Sequence, residues 1–499
     1  MIDALLSAAQ QFFTTDGFLS MALGIGFGLA VGIMPGIGGA AATALLIPAT
    51  YSMSPETAII FLMAVATTSG LGGQVTSILV SVPGDPPNAA TVLDGYPMTR
   101  SGRAAEALGA ATFASVFGAL FGVVALLLVL PLARALVLSF SYEETFMVML
   151  TGLVLIASLT RGSTFKGLIA AGVGLMISFV GLNPVTGRPR FEFDLLYLYD
   201  GLPIVAVLVG LFAGPEMAEL FSSRFQATMR STIGDVRKSR ILDGLFATAR
   251  SWRIVLLGSG VGFLIGLVPG LGGTVAAFVA YAQSKRISRQ ATDYGKGAVD
   301  GVIASESAND ADKAGNLLVT VVFGIPGGVV MAILMTGLLL HGVRMGPAMF
   351  ASDPQIVYLL VVALVIPRVV AAAVVVALGG TLSALARARG DIIAPVIIAL
   401  AMVSLYANQN EILDVVVALV FAFVGHAMVS HGFSRVALVI ALVLGGPMEL
   451  AFVQAVQSHT ITGFVTRPIA LVLLCVATAT LLVPLVRPAI ERMRPRRNS

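Results

Sequence analysis

The sequence predicts an all-α polytopic membrane protein of about 12 transmembrane segments, built as two homologous repeats with broken or re-entrant helices. Three observations predict it: a strongly apolar composition, a succession of apolar stretches of bilayer length, and a glycine–proline motif that occurs twice in the same order.

Hydrophobic residues make up 57% of the 499 residues and charged residues only 11%, with a mean hydropathy of +0.95. Soluble domains carry about 25% charged residues and cannot keep so much apolar surface from water. A bilayer solvates Leu and Val as well as a protein core does. No soluble catalytic domain fits in the chain. The formal net charge of +4 calls for no nucleic-acid partner. Cys475 is the single cysteine, which excludes an intramolecular disulfide and a cysteine-based metal site. His341, His426, His431 and His459 are scattered without metal-ligand spacing. The first residues lack the basic region of a cleaved signal peptide, so the first apolar segment is expected to be retained.

Apolar stretches approach the roughly 20 residues that span a hydrocarbon core. The first runs from Phe18 to about Pro48 and is interrupted at Pro35-Gly36; others lie near 57–70, 107–132, 144–160, 165–182 and 201–217. The one long polar connection, 218–253, holds Arg224, Arg230, Arg237, Lys238, Arg240, Arg250 and Arg253 against three acids. By the positive-inside rule it is expected in the cytoplasm, together with the arginine-rich tail Arg492–Arg497. Seven further apolar stretches follow, near 254–283, 316–342, 355–385, 391–407, 411–430, 434–447 and 466–486. The expected organisation is a first transmembrane repeat (1–217), a basic linker (218–253), and a second repeat with additional C-terminal helices (254–499).

The repeat shows in the motifs. Gly32-Ile-Met-Pro35-Gly36-Ile-Gly38-Gly39 recurs as Gly266-Leu-Val-Pro269-Gly270-Leu-Gly272-Gly273, and Val82-Pro83-Gly84 as Ile325-Pro326-Gly327. The offset is 234 residues for the first pair (Gly32 to Gly266) and 243 for the second (Pro83 to Pro326), a difference that the polar stretch Ser284–Lys296 can absorb. The second repeat starts from the basic linker and the first from a segment without Lys or Arg. Equivalent helices are therefore expected to cross in opposite directions, as an inverted repeat.

Helices broken at membrane depth expose backbone groups that cost several kcal/mol each unless they face protein, a cavity or a solute. Secondary transporters use such breaks as binding sites, with half-helix N-termini toward anions and freed carbonyls toward cations. The breaks are expected at Pro35-Gly36, Pro83, Pro269-Gly270 and Pro326. Four ionisable groups, Glu306, Asp310, Asp312 and Lys313, stand before the last of them. Buried charges mark functional sites by default, and the competing reading is a solvated loop with internal ion pairs. Arg368, after Pro367, reads as a side chain that snorkels or pairs with a carbonyl. Neither a phosphate loop nor a Gly-x-Ser-x-Gly nucleophile motif is present.

Pro35-Gly36-Ile37-Gly38-Gly39, Pro83-Gly84, Asp94-Gly95-Tyr96-Pro97-Met98 and Ala107-Leu108-Gly109, followed by Pro269-Gly270, Glu306-Ser307-Ala308-Asn309, Gly324-Ile325-Pro326-Gly327 and His341-Gly342, together resemble the TctA family. This is the large membrane subunit of tripartite tricarboxylate transporters. The resemblance implies a multi-pass subunit of the bacterial inner membrane that is not an enzyme and has no cofactor. Its implied partners are a small TctB-like membrane subunit and a periplasmic TctC-like solute-binding protein. The implied activity is uptake of an organic carboxylate, driven by a Na⁺ or H⁺ gradient. Asp85-Pro86-Pro87, Asp310 and Asp312 depart from the family pattern, and a site made negative in this way favours cation coupling, a smaller or less charged anion, or an aromatic acid.

On this reading Gly38, Gly39, Ser77, Gly84, Asn88, Thr91, Gly272, Gly273 and Gly327 bind the carboxylate. Asn309, Asp310 and Asp312 bind the coupling ion, and the repeat cores move as an elevator. The alternatives are a passive anion channel, expected to carry gradient-independent flux, and a membrane-embedded enzyme, which needs a nucleophile–base pair.

Overall fold

The computed structural model describes residues 2–34, 38–137, 139–158, 163–183, 185–215, 238–347, 349–385, 411–459 and 461–493, with 399, 402, 403, 405 and 406 between them. In the first half, helices α1 (Ile2–Gln11), α2 (Thr15–Ile33), α3 (Gly39–Leu46), α4 (Pro55–Val80), α5 (Ala89–Arg100), α6 (Ala104–Val137), α7 (Tyr142–Ser158), α8 (Thr164–Ser178) and α9 (Ile204–Leu208, continued by a π-helical turn) follow one another. The second half holds α10 (Lys238–Arg250), α11 (Trp252–Gly266), α12 (Gly272–Ile287), α13 (Val299–Phe323), α14 (Val329–Leu340), α15 (Met349–Ser352), α16 (Pro354–Ala363) and α17 (Ile366–Leu385). It ends in α18 (Ile412–His431), α19 (Arg435–His459), α20 (Gly463–Thr466) and α21 (Pro468–Met493).

Among the described residues six helical spans are long and apolar enough to cross a membrane, and five shorter apolar helices accompany them. The chain is thus a multi-pass, almost wholly helical membrane protein. One small element departs from the all-α expectation. Strands β1 (Gly181–Leu182) and β2 (Pro189–Arg190) pair antiparallel, Gly181 opposite Arg190. Their hairpin is tied to α19 by a two-pronged Arg190–Glu449 pair (2.8 and 2.9 Å). The expected linker 218–253 falls partly outside the described residues. Its second half is not a loop: it forms α10, packed on α6 so closely that a side-chain carbon on Gly109 would meet the Ile241 carbonyl at 2.0 Å. The segment 391–407, apart from the five residues named above, and the tail arginines from Arg494 onward also lie outside the described residues.

The duplication is legible in packing as well as in motifs. Gly24, Gly28 and Gly32 face α4, where a side-chain carbon on each would come within 2.6 Å of Phe61 O, 2.9 Å of Val65 O and 2.0 Å of Ser69 O. Gly258, Gly262 and Gly266 face α13 in the same steps, at 2.8 Å from Ala304 O, 2.2 Å from Ala308 O and 2.3 Å from Asp312 O. Such stripes of small residues let membrane helices bring their backbones together where no hydrophobic force drives association. The two long helices also end alike. Ser81 (φ 64°, ψ 21°) closes α4 and Gly324 (φ 68°, ψ 19°) closes α13, both left-handed and both two residues before a Pro-Gly. The longer spacing in the second repeat is taken up by α12, 16 residues against 8 in α3, and by the loop after it.

Helices α4 and α13 form the centre. Ala58 to Val80 are all buried, and so is every residue of α13 from Val299 to Val322 except Lys313. The expected apolar stretch 316–342 is therefore two elements. A polar-studded helix begins at Val299, stops at Gly324, and α14 follows after the Pro326-Gly327 turn.

The Asp94-Gly95 motif explains how α13 is anchored. Asp94 is fully buried on α5. Its Oδ1 accepts the backbone N–H of Gly295 (2.8 Å), Gly297 (2.9 Å) and Ala298 (3.0 Å), and its Oδ2 accepts the Tyr281 hydroxyl (2.9 Å). The neighbouring Tyr294 phenol is pushed up to about 12 by burial, so it stays a donor, bonded to Ser284 Oγ at 2.9 Å. Each orphaned buried N–H costs on the order of 1–3 kcal/mol. Asp94→Ala is therefore expected to destabilise by about 3 kcal/mol, read as a lowered thermal midpoint in detergent. An unchanged midpoint would mean that these amides find other partners.

Candidate functional site

A cluster of charged and amide side chains sits where α4 crosses α13, inside the protein. Its hub is Glu306, fully buried. Gln74 Nε2 (2.5 Å), Asn88 Nδ2 (3.0 Å) and the Thr91 hydroxyl all donate to its carboxylate. Gln74 also donates to Ser115 Oγ on α6 (2.5 Å). Three donors from the first repeat thus hold one acid of the second, with no cation among the hydrogen-bonding groups.

One turn on, Asp310 Oδ1 pairs with Lys313 Nζ at 2.7 Å and with the Arg368 guanidinium. Arg368 comes from α17, is 1% exposed, and donates Nη1 to the Thr67 carbonyl at 2.7 Å. It does pair with a carbonyl, as expected, but it also belongs to the cluster, which the snorkelling reading missed.

Asp312 and Asn316 form the third part. Asn316 Nδ2 donates to Asp312 Oδ2 at 2.7 Å, while Asp312 Oδ1 and Asn316 Oδ1 are buried without a hydrogen-bond partner. Both second-repeat breaks meet here. Gly270 N donates to Gly327 O (3.1 Å), and a side-chain carbon on Gly327 would lie 2.6 Å from the Asn316 Cα. Gly273 opens α12 toward Asn309 Oδ1 and Asp312 Oδ2, 3.0 and 3.3 Å from where its Cβ would be, with Pro87 of the first repeat at 3.2 Å. In the first repeat the equivalent tip is occupied. The Gly39 amide bonds the Asp85 carboxylate, whose Oδ1 lies 3.0 Å from the Cβ position of Gly38.

Most of the expected site residues are therefore together. Asn309, Asp310, Asp312, Gly273, Gly327, Gly38, Gly39, Asn88 and Thr91 surround one crossing. Gly84 packs on Gly73, with 2.5 Å from its Cβ position to the Gly73 Cα, just as Gly327 packs on Asn316. Pro83 and Pro269 are half-buried at their turns, Pro326 is buried, Gly270 takes φ 89°, and Gly272 takes φ 68° beside open space. The Ser77 hydroxyl is spent on the Gly73 carbonyl at 2.8 Å. Asn88 and Thr91 grip a carboxylate of the protein itself. Pro35 and Gly36 lie outside the described residues. Glu306–Lys313 is not a solvated loop but two buried helical turns.

Glu306, Gln74 and Arg368 were missed as site residues. The signal was available: Glu306, Asn309, Asp310 and Lys313 are spaced three and four apart, one face of a helix. The cluster holds four carboxylates (Asp85, Glu306, Asp310, Asp312) against two cations (Lys313, Arg368). Such a set can bind a small cation on free carboxylate and amide oxygens and an anion on its nitrogen donors. Among the described residues, no three His, Cys, Asp or Glu side chains are grouped to hold a metal ion. His341 lies elsewhere, on Thr50 Oγ1 (2.9 Å).

Residues 18–440 match the family described as "Tripartite tricarboxylate transporter TctA family". The chain belongs to this family. It is also 30% identical over 477 residues to an uncharacterized 52.8 kDa protein in the TAR-I ttuC' 3' region of Agrobacterium vitis, which covers 95% of this chain and 93% of that one. A second relative from the same organism, an uncharacterized protein in the TAR-II ttuC' 3' region, is 28% identical over 235 residues, 47% of this chain and 97% of its own. No solved structure matches the chain. TctA membership makes this a membrane subunit of the tripartite transporter class, and the buried charged crossing is its candidate for solute handling.

Proposed function

We propose that the chain is the solute-translocating subunit of a bacterial inner-membrane symporter, taking up an organic carboxylate with Na⁺ or H⁺. It works with a small TctB-like membrane subunit and a periplasmic TctC-like binding protein. The observation that carries this reading is the charge count at the α4–α13 crossing. Three buried carboxylates and the half-buried Asp85, against two cations, cannot admit another anion unless positive charge enters with it, because charge in a low-dielectric interior is strongly penalised when unbalanced. Coupling then follows from electrostatics.

Asp312 is the coupling residue of choice, with Asn309 and Asn316 beside it, since two of these oxygens have no other partner. Asp310 is instead engaged by Lys313 and Arg368. Inverted repeats related across this crossing, moving as an elevator against the outer helices, would expose it alternately to the two sides.

The test is uptake of labelled tricarboxylates, dicarboxylates and aromatic acids by cells expressing the chain, with and without the two partner subunits. Na⁺ and choline media at two pH values would be compared. Concentrative, cation-dependent uptake that needs the partners is expected, and Asp312→Ala is expected to cut it at least 100-fold with the protein still in the membrane. Flux that ignores the cation gradient would favour a passive channel instead.

A further inference from the structure

Gly70 and Lys313 are equivalent positions, each eleven residues before the left-handed residue that ends its helix, Ser81 in one repeat and Gly324 in the other. They face each other across the crossing. A Cβ on Gly70 would lie 3.3 Å from Lys313 Nζ and 3.9 Å from both Arg368 Nη2 and Asn309 Nδ2. The three atoms nearest to that point are all nitrogen donors.

These donors are incompletely used. Asn309 is 3% exposed and its Nδ2 has no hydrogen-bond partner; the same holds for Arg368 Nε. Asp310 meets both cations through the same oxygen, which leaves Lys313 Nζ and Arg368 Nη2 turned toward the niche as well, and its own Oδ2 has no hydrogen-bond partner. A buried unpartnered amide donor between two cationic side chains matches what a carboxylate offers, two acceptor oxygens and one negative charge. Lys313 is the one partly open member, its side chain 20% exposed, and so gives the approach.

We infer that the niche over Gly70 is the subsite for one carboxylate group of the transported solute, with Asn309 donating to it and Lys313 and Arg368 supplying the charge. Asn309 then has a face for each ligand. Its Nδ2 points to the niche, while its Oδ1 points to Gly273 and the Asp312 side of the crossing. A cation drawn to Asp312 and an anion over Gly70 would share this one amide, which ties their binding together. The inference rests on the transport reading above and adds where the solute's charge is held.

Gly70→Ala tests it with little danger to folding. The new methyl meets the tip of a flexible lysine, and alanine favours the interior of α4 over glycine. In the complete three-component system, Gly70→Ala is expected to raise the KM for carboxylate uptake at least tenfold without lowering the thermal midpoint of the purified chain. Asn309→Ala, which removes a donor and adds no bulk, is expected to raise KM to a similar extent. Wild-type uptake with unchanged KM in both variants would remove the niche from the pathway and leave the transport reading standing. No uptake by wild-type protein with both partners present would overturn the transport reading and this subsite with it.

Discussion

Glu306→Ala is expected to destabilise the protein by about 3–5 kcal/mol and to loosen the first repeat from the second. The carboxylate accepts from Gln74, Asn88 and Thr91, all three buried. Alanine leaves the Asn88 and Thr91 donors without a partner and Gln74 with Ser115 alone, at on the order of 1–3 kcal/mol for each orphaned group. A cavity at the crossing adds to the cost. Asn88 and Thr91 stand just after the Pro83-Gly84 turn, so that turn would lose its hold on α13. Glu306→Gln separates shape from hydrogen bonding. Glutamine fills the same space, but its amide nitrogen must face a donor, so roughly half the loss is expected. The measurement is the thermal midpoint and the monodispersity of each variant in detergent. Wild-type stability in Glu306→Ala would remove Glu306 as the link between the repeats.

The parts of this architecture legible in the sequence are those written in local composition. Apolar length announced the six helical spans that, among the described residues, are long enough to cross a membrane. Pro83, Pro269-Gly270 and Pro326 announced turns because proline and glycine restrict or free the backbone wherever they stand. The duplication was visible because both repeats kept the same breakers. A stronger form of it was also present: Gly24, Gly28 and Gly32 against Gly258, Gly262 and Gly266, a four-residue rhythm that becomes meaningful as helix packing.

Helix α13 was harder to see. It carries Asp300, Glu306, Asp310, Asp312 and Lys313, so an apolar scan skips it and places a span at 316–342 instead. Burying this helix requires partners from elsewhere in the chain. Gln74 and Asn88 are more than 200 residues from Glu306, and Thr67 is 301 from Arg368. Nothing local specifies these pairings. They arise because the glycine stripes bring α2 to α4 and α11 to α13, and the two pairs then meet along faces whose polar groups complement each other. Asn88 and Thr91 were identified as carboxylate binders and do bind one, but that carboxylate belongs to Glu306.

Arg368→Met should be the most damaging substitution outside α13. The residue is 1% exposed, so the cost of burying its guanidinium is met by Asp310 and the Thr67 carbonyl, with the Glu306 carboxylate adding attraction. Methionine keeps much of the volume but leaves Asp310 to Lys313 alone and the Thr67 carbonyl without its donor. Breaking one side of a buried ion pair costs about 3–5 kcal/mol, most of it the stranded charge. Arg368→Lys should recover only part of this, because a lysine cannot reach Asp310 and the Thr67 carbonyl with separate, rigidly spaced nitrogens. The decisive variant is the double one. Asp310→Asn with Arg368→Met removes one charge of each sign, so it should be less damaging than the sum of the two singles by about 2 kcal/mol or more. Additive effects in that cycle would mean that the two residues do not act as a pair. The double variant also separates folding from transport. If it assembles at wild-type abundance and still fails to concentrate a carboxylate, Arg368 serves the solute as well as the fold. If it transports normally, Arg368 is there to balance Asp310, and Lys313 with Asn309 must hold the anion alone.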